Sequence, residues 1–224
     1  VQQMQNRGPK QPPVARTTLR RLAACAALAP ALALAGPADD YDALILRARA
    51  GDYEPALAML RQQGPAAGAR AIQDHIIIAG WAGKPAEAIA AYESLPSGAA
   101  LPGDVQLAVA RAYRDERRWP QALAAFREGL RRHPGQSAFA AGEIMTLADA
   151  GQFDPALAAG RKWVASQPRN PDARLALAYV HARQGQPFEA LHQTDLAQGL
   201  APDSPAVQRE YIYALQRLSL IHIS

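Results

Sequence analysis

The sequence predicts an all-α fold: a right-handed superhelical solenoid of about five helix pairs, followed by one unpaired C-terminal helix. Composition is the first reason, since 51 of the 224 residues are alanine, the strongest helix former, and strand formers are sparse. A repeated turn is the second reason, because after a slightly shorter first step its spacing is constant at about 34 residues, which is typical of stacked helix pairs. The turn residues are Gly51, Gly83, Arg117, Gly151 and Gly185. The third reason is a proline that recurs with the same period, at Pro134, Pro168 and Pro202.

Each marker has a local physical role. Glycine takes the left-handed conformation that ends one helix and turns the chain. The proline that follows the turn falls in the first turn of the next helix, where no amide donor is needed. A small alanine lets the two helices approach closely, and the later proline ends the second helix. The predicted pairs are 39–50 with 53–63, 69–81 with 85–95, 103–116 with 119–132, 137–149 with 153–166, and 171–183 with 187–200, and a lone helix spans about 205–218.

These markers resemble the tetratricopeptide repeat over about residues 37–217, so that residues 36–217 are predicted to be one repeat domain. The match is weakest around 64–68 and 95–103, where the spacing is irregular. An unrelated helical bundle is the alternative. Arrays of helix pairs offer a concave groove lined by the first helix of each pair.

The first 35 residues are predicted to be upstream residues and a secretory signal peptide, which places the domain outside the cytoplasm. A basic stretch at 16–21 precedes an apolar run at 22–34, and Ala33-Leu34-Ala35 supplies the small residues of a cleavage site. The run is about 13 residues, too short for a membrane span. An amphipathic helix or an alanine-rich linker is the alternative.

Charge gives no reason to expect a nucleic-acid partner. Five of the 24 basic residues and none of the 20 acidic residues precede Gly36, which leaves 19 basic and 20 acidic residues beyond it. The pI of about 9.5 therefore reflects the leader, whereas nucleic-acid binding needs a basic patch on the folded domain.

Residues 218–224 break the composition around them and resemble a translated sequencing adapter. We expect this tail to be non-native and the natural sequence to continue differently after Arg217. A genuine apolar helix or strand end is the alternative.

No residue pattern predicts catalysis, a cofactor or a metal site. The sequence has no phosphate-binding loop, no G-x-S-x-G and no H-E-x-x-H motif. Its one cysteine, Cys25, lies in the leader, and His181 and His192 are interpreted as scattered surface residues. Carboxylates that flank a turn, such as Asp149 and Asp154, are interpreted as solvated helix ends rather than an acid–base pair.

The repeat period instead predicts a ligand-binding groove. Acidic residues there would suit a cationic ligand, and two tyrosines one repeat period apart would occupy equivalent groove sites, where stacking and charge pairing suit a partly cationic sugar chain. Packing of both tyrosines between helices is the alternative. The predicted groove residues are Asp74, Arg111, Asp115, Asp149, Tyr179, Arg183 and Tyr213, with Ile77 and Met145 at equivalent positions.

Two stretches carry a closer resemblance, YDALILRARAGDYEPAL (41–57) and DHIIIAGWAGKPAEA (74–88). Both are similar to the start of the outer-membrane poly-β-1,6-N-acetylglucosamine exporter family. The resemblance implies a non-catalytic periplasmic repeat domain that receives the partly deacetylated polymer and docks its periplasmic deacetylase for biofilm matrix secretion. It also implies that membrane contact is made through a C-terminal barrel, which this sequence does not contain. The alternative is a secreted scaffold that binds other proteins in its groove.

Overall fold

The computed structural model describes residues 37–64, 66 and 68–221, and these residues form eleven α-helices. The proposed leader, residues 1–35, lies outside the described residues, as do the last three residues of the tail. The helices are α1 (Pro37–Arg49), α2 (Glu54–Gln63), α3 (Ala69–Trp81), α4 (Pro85–Glu93), α5 (Gly103–Asp115), α6 (Trp119–Arg132), α7 (Ser137–Asp149), α8 (Phe153–Ser166), α9 (Pro171–Arg183), α10 (Pro187–Leu200) and α11 (Pro205–Ile221).

The helices stack as five consecutive pairs with α11 at the end, which confirms the predicted helical solenoid. Each odd-numbered helix packs on the even-numbered helix that follows it, and each even-numbered helix packs on the next odd-numbered one. From α3 to α11, each odd-numbered helix also packs on the next odd-numbered helix. The even-numbered helices of the described residues make no comparable contact with one another. The stack therefore curves toward the odd-numbered helices, whose exposed side we call the odd-helix face.

The turn between the two helices of each pair has the backbone conformation that the glycines predict. All four turn glycines have positive φ, from 67° at Gly83 to 98° at Gly51. Arg117 occupies the same place in the third pair with a φ of 56°, a conformation that is unfavourable for a residue with a side chain. The repeat therefore imposes its turn geometry even where the sequence departs from glycine.

Close packing between the third and fourth pairs depends on two glycines. The rings of Phe126 on α6 and Phe139 on α7 are fully buried. A Cβ atom at Gly142 would lie 2.0 Å from the Phe126 ring, and one at Gly129 would lie 2.2 Å from the Phe139 ring. Each ring thus occupies the space that a side chain on the opposite helix would need, which locks α6 and α7 together.

Two helices end two or more residues away from the position that the sequence predicts. Helix α4 ends at Glu93, two residues early, because the N–H of Ser94 is shared between Ala90 and Ala91 and that of Leu95 bonds only three residues back, to Tyr92, which tightens the last turn. Helix α11 continues to Ile221, since neither glycine nor proline follows Pro205 to stop it, and Ser219 donates a hydrogen bond to the Gln216 carbonyl.

Helix α11 also exposes apolar side chains that earlier pairs cover. Ile212 is exposed, whereas the equivalent residues Ile76, Ala110, Ile144 and Ala178 are buried. Leu215 is exposed as well. The described part of the chain supplies no even-numbered helix to pack against this side of α11. None of the described helices combines the length and the apolar character needed to cross a membrane.

Candidate functional site

The odd-helix face carries most of the predicted groove residues, and four of its side chains form one polar cluster. We call Arg114, Asp149, Tyr179 and Arg183 the paired cluster. The Tyr179 hydroxyl donates a 2.6 Å hydrogen bond to Asp149 Oδ1. The same carboxylate oxygen lies 3.2 Å from Arg183 Nε, and Asp149 Oδ2 lies 3.8 Å from Arg114 Nε. The cluster thus links α5, α7 and α9 through a carboxylate that is only 15% exposed.

The repeat period explains how these residues meet. Asp149 and Arg183 each stand two residues before their turn glycine, and Tyr179 stands six residues before its own. Because α7 and α9 pack side by side, the tyrosine of the later helix reaches the aspartate of the earlier one. Burial and the Asp149 carboxylate raise the pKa of Tyr179 to about 12, so that its hydroxyl stays protonated as a donor at neutral pH.

Asp74 is also occupied by partners within the chain. Its carboxylate accepts a 2.5 Å hydrogen bond from the Tyr41 hydroxyl of α1 and lies 3.9 Å from Arg70 Nε. The Arg70 guanidinium lies over the Tyr41 ring, 5.2 Å from its centroid. Burial, followed by the hydrogen bond to Asp74, raises the pKa of Tyr41. This arrangement fixes α1 onto α3 at the start of the array.

Arg111 and Asp115, by contrast, lie on the exposed side of α5. Both are exposed, and Arg111 forms no salt bridge within the described residues. Crowding of its guanidinium by surrounding protein, together with the nearby Arg114 charge, lowers the pKa of Arg111. The nearest charged group to Asp115 in a described salt bridge is Arg114 of the same helix, whose Nε is 3.9 Å away. Of the three acids proposed to bind a cation, Asp115 is therefore the exposed one.

Tyr213 lies apart from these groups, on α11. It is 51% exposed, whereas Tyr179 at the equivalent position is half-buried. The structure thus brings Asp149, Tyr179 and Arg183 together and places Arg111 and Asp115 on the adjoining helix. Asp74 and Tyr213 lie toward opposite ends of the array.

Sequence reasoning missed three residues of this face. Arg114 was overlooked although its equivalents in other pairs, Gly80, Ala148 and Ala182, are all small, so that a charge there was itself a signal. Trp81 stands two residues before its turn, as Asp115 and Asp149 do, and is 49% exposed. Tyr41 gave no such signal, since its partner Asp74 is 33 residues away in the irregular first repeats.

A separate cavity of about 430 Å³ lies among α2, α3 and α4. Its walls are mainly apolar and include Leu60 and Ile72, with one ionic group at its edge. There, Glu87 accepts two 2.8 Å hydrogen bonds from Arg61 and lies 2.6 Å from His75 Nε2. The hydrogen bond from Arg61 lowers the pKa of Glu87, and this effect outweighs burial, which would raise it. The polar groups of this cavity therefore satisfy one another.

Among the residues that the structure describes, no group of three or more histidine, cysteine or acidic side chains is arranged to hold a metal ion. The chemistry available on the odd-helix face is hydrogen bonding, charge pairing and aromatic stacking.

Comparison with solved structures identifies the fold. A tetratricopeptide repeat protein from Thermus thermophilus superposes with a TM-score of 0.57 at 20% identity, over 80% of this chain and 98% of the other. A second tetratricopeptide repeat protein, YrrB, described as having an unusual peptide-binding site, also gives 0.57, at 18% identity over 80% of this chain and 91% of its own. The chain has the tetratricopeptide repeat fold.

Sequence comparison adds a more specific relationship for this chain. It is 31% identical over 217 residues to the poly-beta-1,6-N-acetyl-D-glucosamine export protein of Escherichia coli K12, which covers 94% of this chain. The export protein of Escherichia coli O157:H7 matches equally well. The chain spans about a quarter of the length of these curated relatives, namely 26%. No family model matches the chain.

Proposed function

We propose that this tetratricopeptide repeat array is the periplasmic polymer-receiving domain of an outer-membrane exporter of poly-β-1,6-N-acetylglucosamine. The observation that carries the proposal is the 31% identity to the export protein, which extends over 94% of the chain rather than over one repeat. A resemblance that reflected the repeat fold alone would be expected only at the turn glycines and prolines. We place the domain in the bacterial envelope on the same ground.

The ligand class fits the groups on the odd-helix face. A partly deacetylated polymer carries ammonium groups among neutral N-acetylated sugars. Asp115 is an exposed carboxylate that can pair with an ammonium group, and exposed aromatic side chains such as Tyr213 offer a surface for a sugar ring. The domain acts in this proposal by binding and guiding the chain, without catalysis.

Calorimetric titration with partly deacetylated poly-β-1,6-N-acetylglucosamine tests the proposal. We expect binding that weakens as salt is raised, because part of it comes from exposed charges. Asp115→Asn is the informative charge variant, since Asp74 and Asp149 also hold helices together and their neutralisation would affect folding. A fully acetylated oligosaccharide serves as the matched ligand without ammonium groups.

Absence of binding at millimolar sugar would contradict polymer reception. The search would then turn to protein partners, beginning with the periplasmic deacetylase, which we propose as a second ligand of the array. Titration of the purified deacetylase into the same protein measures that contact directly.

A further inference from the structure

The odd-helix face contains an exposed tryptophan that no intramolecular interaction explains. Trp81 lies at the last position of α3 and is 49% exposed, whereas Trp163 is buried and Trp119 is half-buried. Tryptophan is enriched at binding sites, because its indole offers a large flat apolar surface and a polar N–H to a partner.

The repeat register predicts which side chains lie beside Trp81. On α7, the residue two positions before the turn is Asp149, and it contacts Tyr179 and Arg183 of α9. The step from α3 to α5 is also one repeat period, and these two helices also pack on each other. By the same register, we expect Arg111 and Asp115 of α5 to lie beside Trp81, where Tyr179 and Arg183 lie beside Asp149.

These three residues, which we call the open triad, offer complementary chemistry. Trp81 presents a flat apolar surface, Arg111 presents hydrogen-bond donors without an acidic partner in a described salt bridge, and Asp115 presents an exposed carboxylate. A pyranose ring has an apolar face of C–H groups and a rim of polar substituents. The indole suits the face of such a ring, and the two charged groups suit its rim.

We propose that the open triad is a subsite for a single glucosamine unit of the polymer, with the sugar ring stacked on Trp81. Asp115 accepts a hydrogen bond from the free ammonium group, and Arg111 donates to a hydroxyl oxygen of the same unit. This inference rests on the proposed function, since it specifies where on the odd-helix face the polymer is held.

The test uses a partly deacetylated β-1,6-linked glucosamine oligosaccharide and the whole chain, followed by calorimetry and tryptophan fluorescence. We expect Trp81→Ala to weaken binding about fivefold to tenfold and Trp81→Phe to weaken it less, because phenylalanine keeps part of the stacking surface. Asp115→Asn should remove the preference for deacetylated over fully acetylated oligosaccharide. The matched control is Phe188→Ala, which removes an exposed aromatic side chain from α10, an even-numbered helix.

Fluorescence separates the subsite from the rest of the groove. Saturating oligosaccharide should change the emission of the original chain, and most of that change should vanish in Trp81→Phe. Circular dichroism on each variant establishes that it is folded. If the chain binds but Trp81→Ala binds equally well, the subsite assignment is overturned and polymer reception stands. If the chain binds no oligosaccharide at all, both are overturned.

Discussion

The odd-helix face has two neighbouring regions that use the same repeat positions differently. In the paired cluster, Asp149 receives Tyr179 and Arg183 from α9 and faces Arg114 on α5. In the open triad, Asp115 occupies the position of Asp149 on the preceding odd-numbered helix and remains exposed. One region satisfies its charges internally, and the other leaves them available.

Three differences at equivalent positions account for this contrast. Around Asp115, the period places Met145 where Tyr179 would be, Asp149 where Arg183 would be and Gly80 where Arg114 would be. Methionine and an ionised aspartate cannot donate a hydrogen bond to a carboxylate at neutral pH, and glycine has no side chain. The comparison teaches that a repeat position has no fixed role, because the adjoining repeats decide whether its charge is structural or available to a ligand.

The largest expected difference between the two regions is in stability. Asp149→Ala removes the hydrogen-bond acceptor of the Tyr179 hydroxyl and the counter-charge of two guanidinium groups, and we expect it to lower the free energy of unfolding by about 2 kcal/mol. Asp115→Ala should change the free energy of unfolding by less than about 0.5 kcal/mol, as is usual for an exposed residue. Chemical denaturation followed by circular dichroism measures both, and equal losses would erase the distinction between the regions.

The Tyr179 hydroxyl gives the paired cluster a distinct pH dependence. Its pKa is raised from 10.0 to about 12, so the protonated form is favoured by folding. The resulting stabilisation is complete below pH 10 and is lost as pH rises through about 12. Ultraviolet absorbance is measured against pH for the original chain and for Tyr179→Phe, and the difference between the two curves isolates the ionisation of Tyr179. Asp149→Asn should move that titration to lower pH, and an unchanged midpoint would show that the carboxylate has no influence on it.

Removing only the hydroxyl should have a smaller effect. We expect Tyr179→Phe to lower the free energy of unfolding by about 1 kcal/mol, the usual contribution of one hydrogen bond. Tyr213→Phe at the equivalent position on α11 is the matched control and should be neutral, since Tyr213 is exposed and no hydrogen bond to its hydroxyl is found in the described structure. Similar losses in the two variants would argue against a specific role for the Tyr179–Asp149 bond.

The smallest expected effect concerns the turn that follows Asp115. Arg117 holds a positive φ of 56° where the other pairs have glycine. Relief of that backbone strain should outweigh the added freedom of glycine in the unfolded chain, so Arg117→Gly should raise the free energy of unfolding by about 0.5 kcal/mol. Thermal unfolding measures the gain, with Arg118→Gly at the adjoining position as the control that should not stabilise. A loss of stability in Arg117→Gly would mean that the arginine side chain contributes more than its conformation costs.

The period made most of the fold predictable, because its markers act locally. Glycine and proline specify where helices end and begin, and the structure follows these positions closely in α5 to α10. The ends of α4 and α11 were less predictable, since α4 closes its last turn through Ser94 and α11 has no stop signal at all. In both places the boundary depends on backbone hydrogen bonds that no single residue type dictates.

The candidate site was predictable by position but not by pairing. The period placed Asp149, Tyr179 and Arg183 on one face, yet it could not show that Asp149 is already engaged by all three partners of the paired cluster. That depends on side-chain reach across two helix interfaces. Trp81 was missed for a simpler reason. It occupies the repeat position of Asp115 and Asp149, but it is neither acidic nor a tyrosine, the two residue types that the predicted ligand favoured.

The interlocked rings of Phe126 and Phe139 have a consequence for the order in which this array opens. In a one-dimensional stack, each repeat is held only by its neighbours, so opening starts where a neighbour interface is weakest. At the α6–α7 interface each ring fills the place of a missing side chain, whereas α11 leaves apolar surface uncovered at one end. Backbone amides of α6 and α7 should therefore exchange with deuterium last, and those of α11 early. The open triad on α3 and α5 adjoins that slow central block, so a ligand held there would be anchored to the least mobile part of the array.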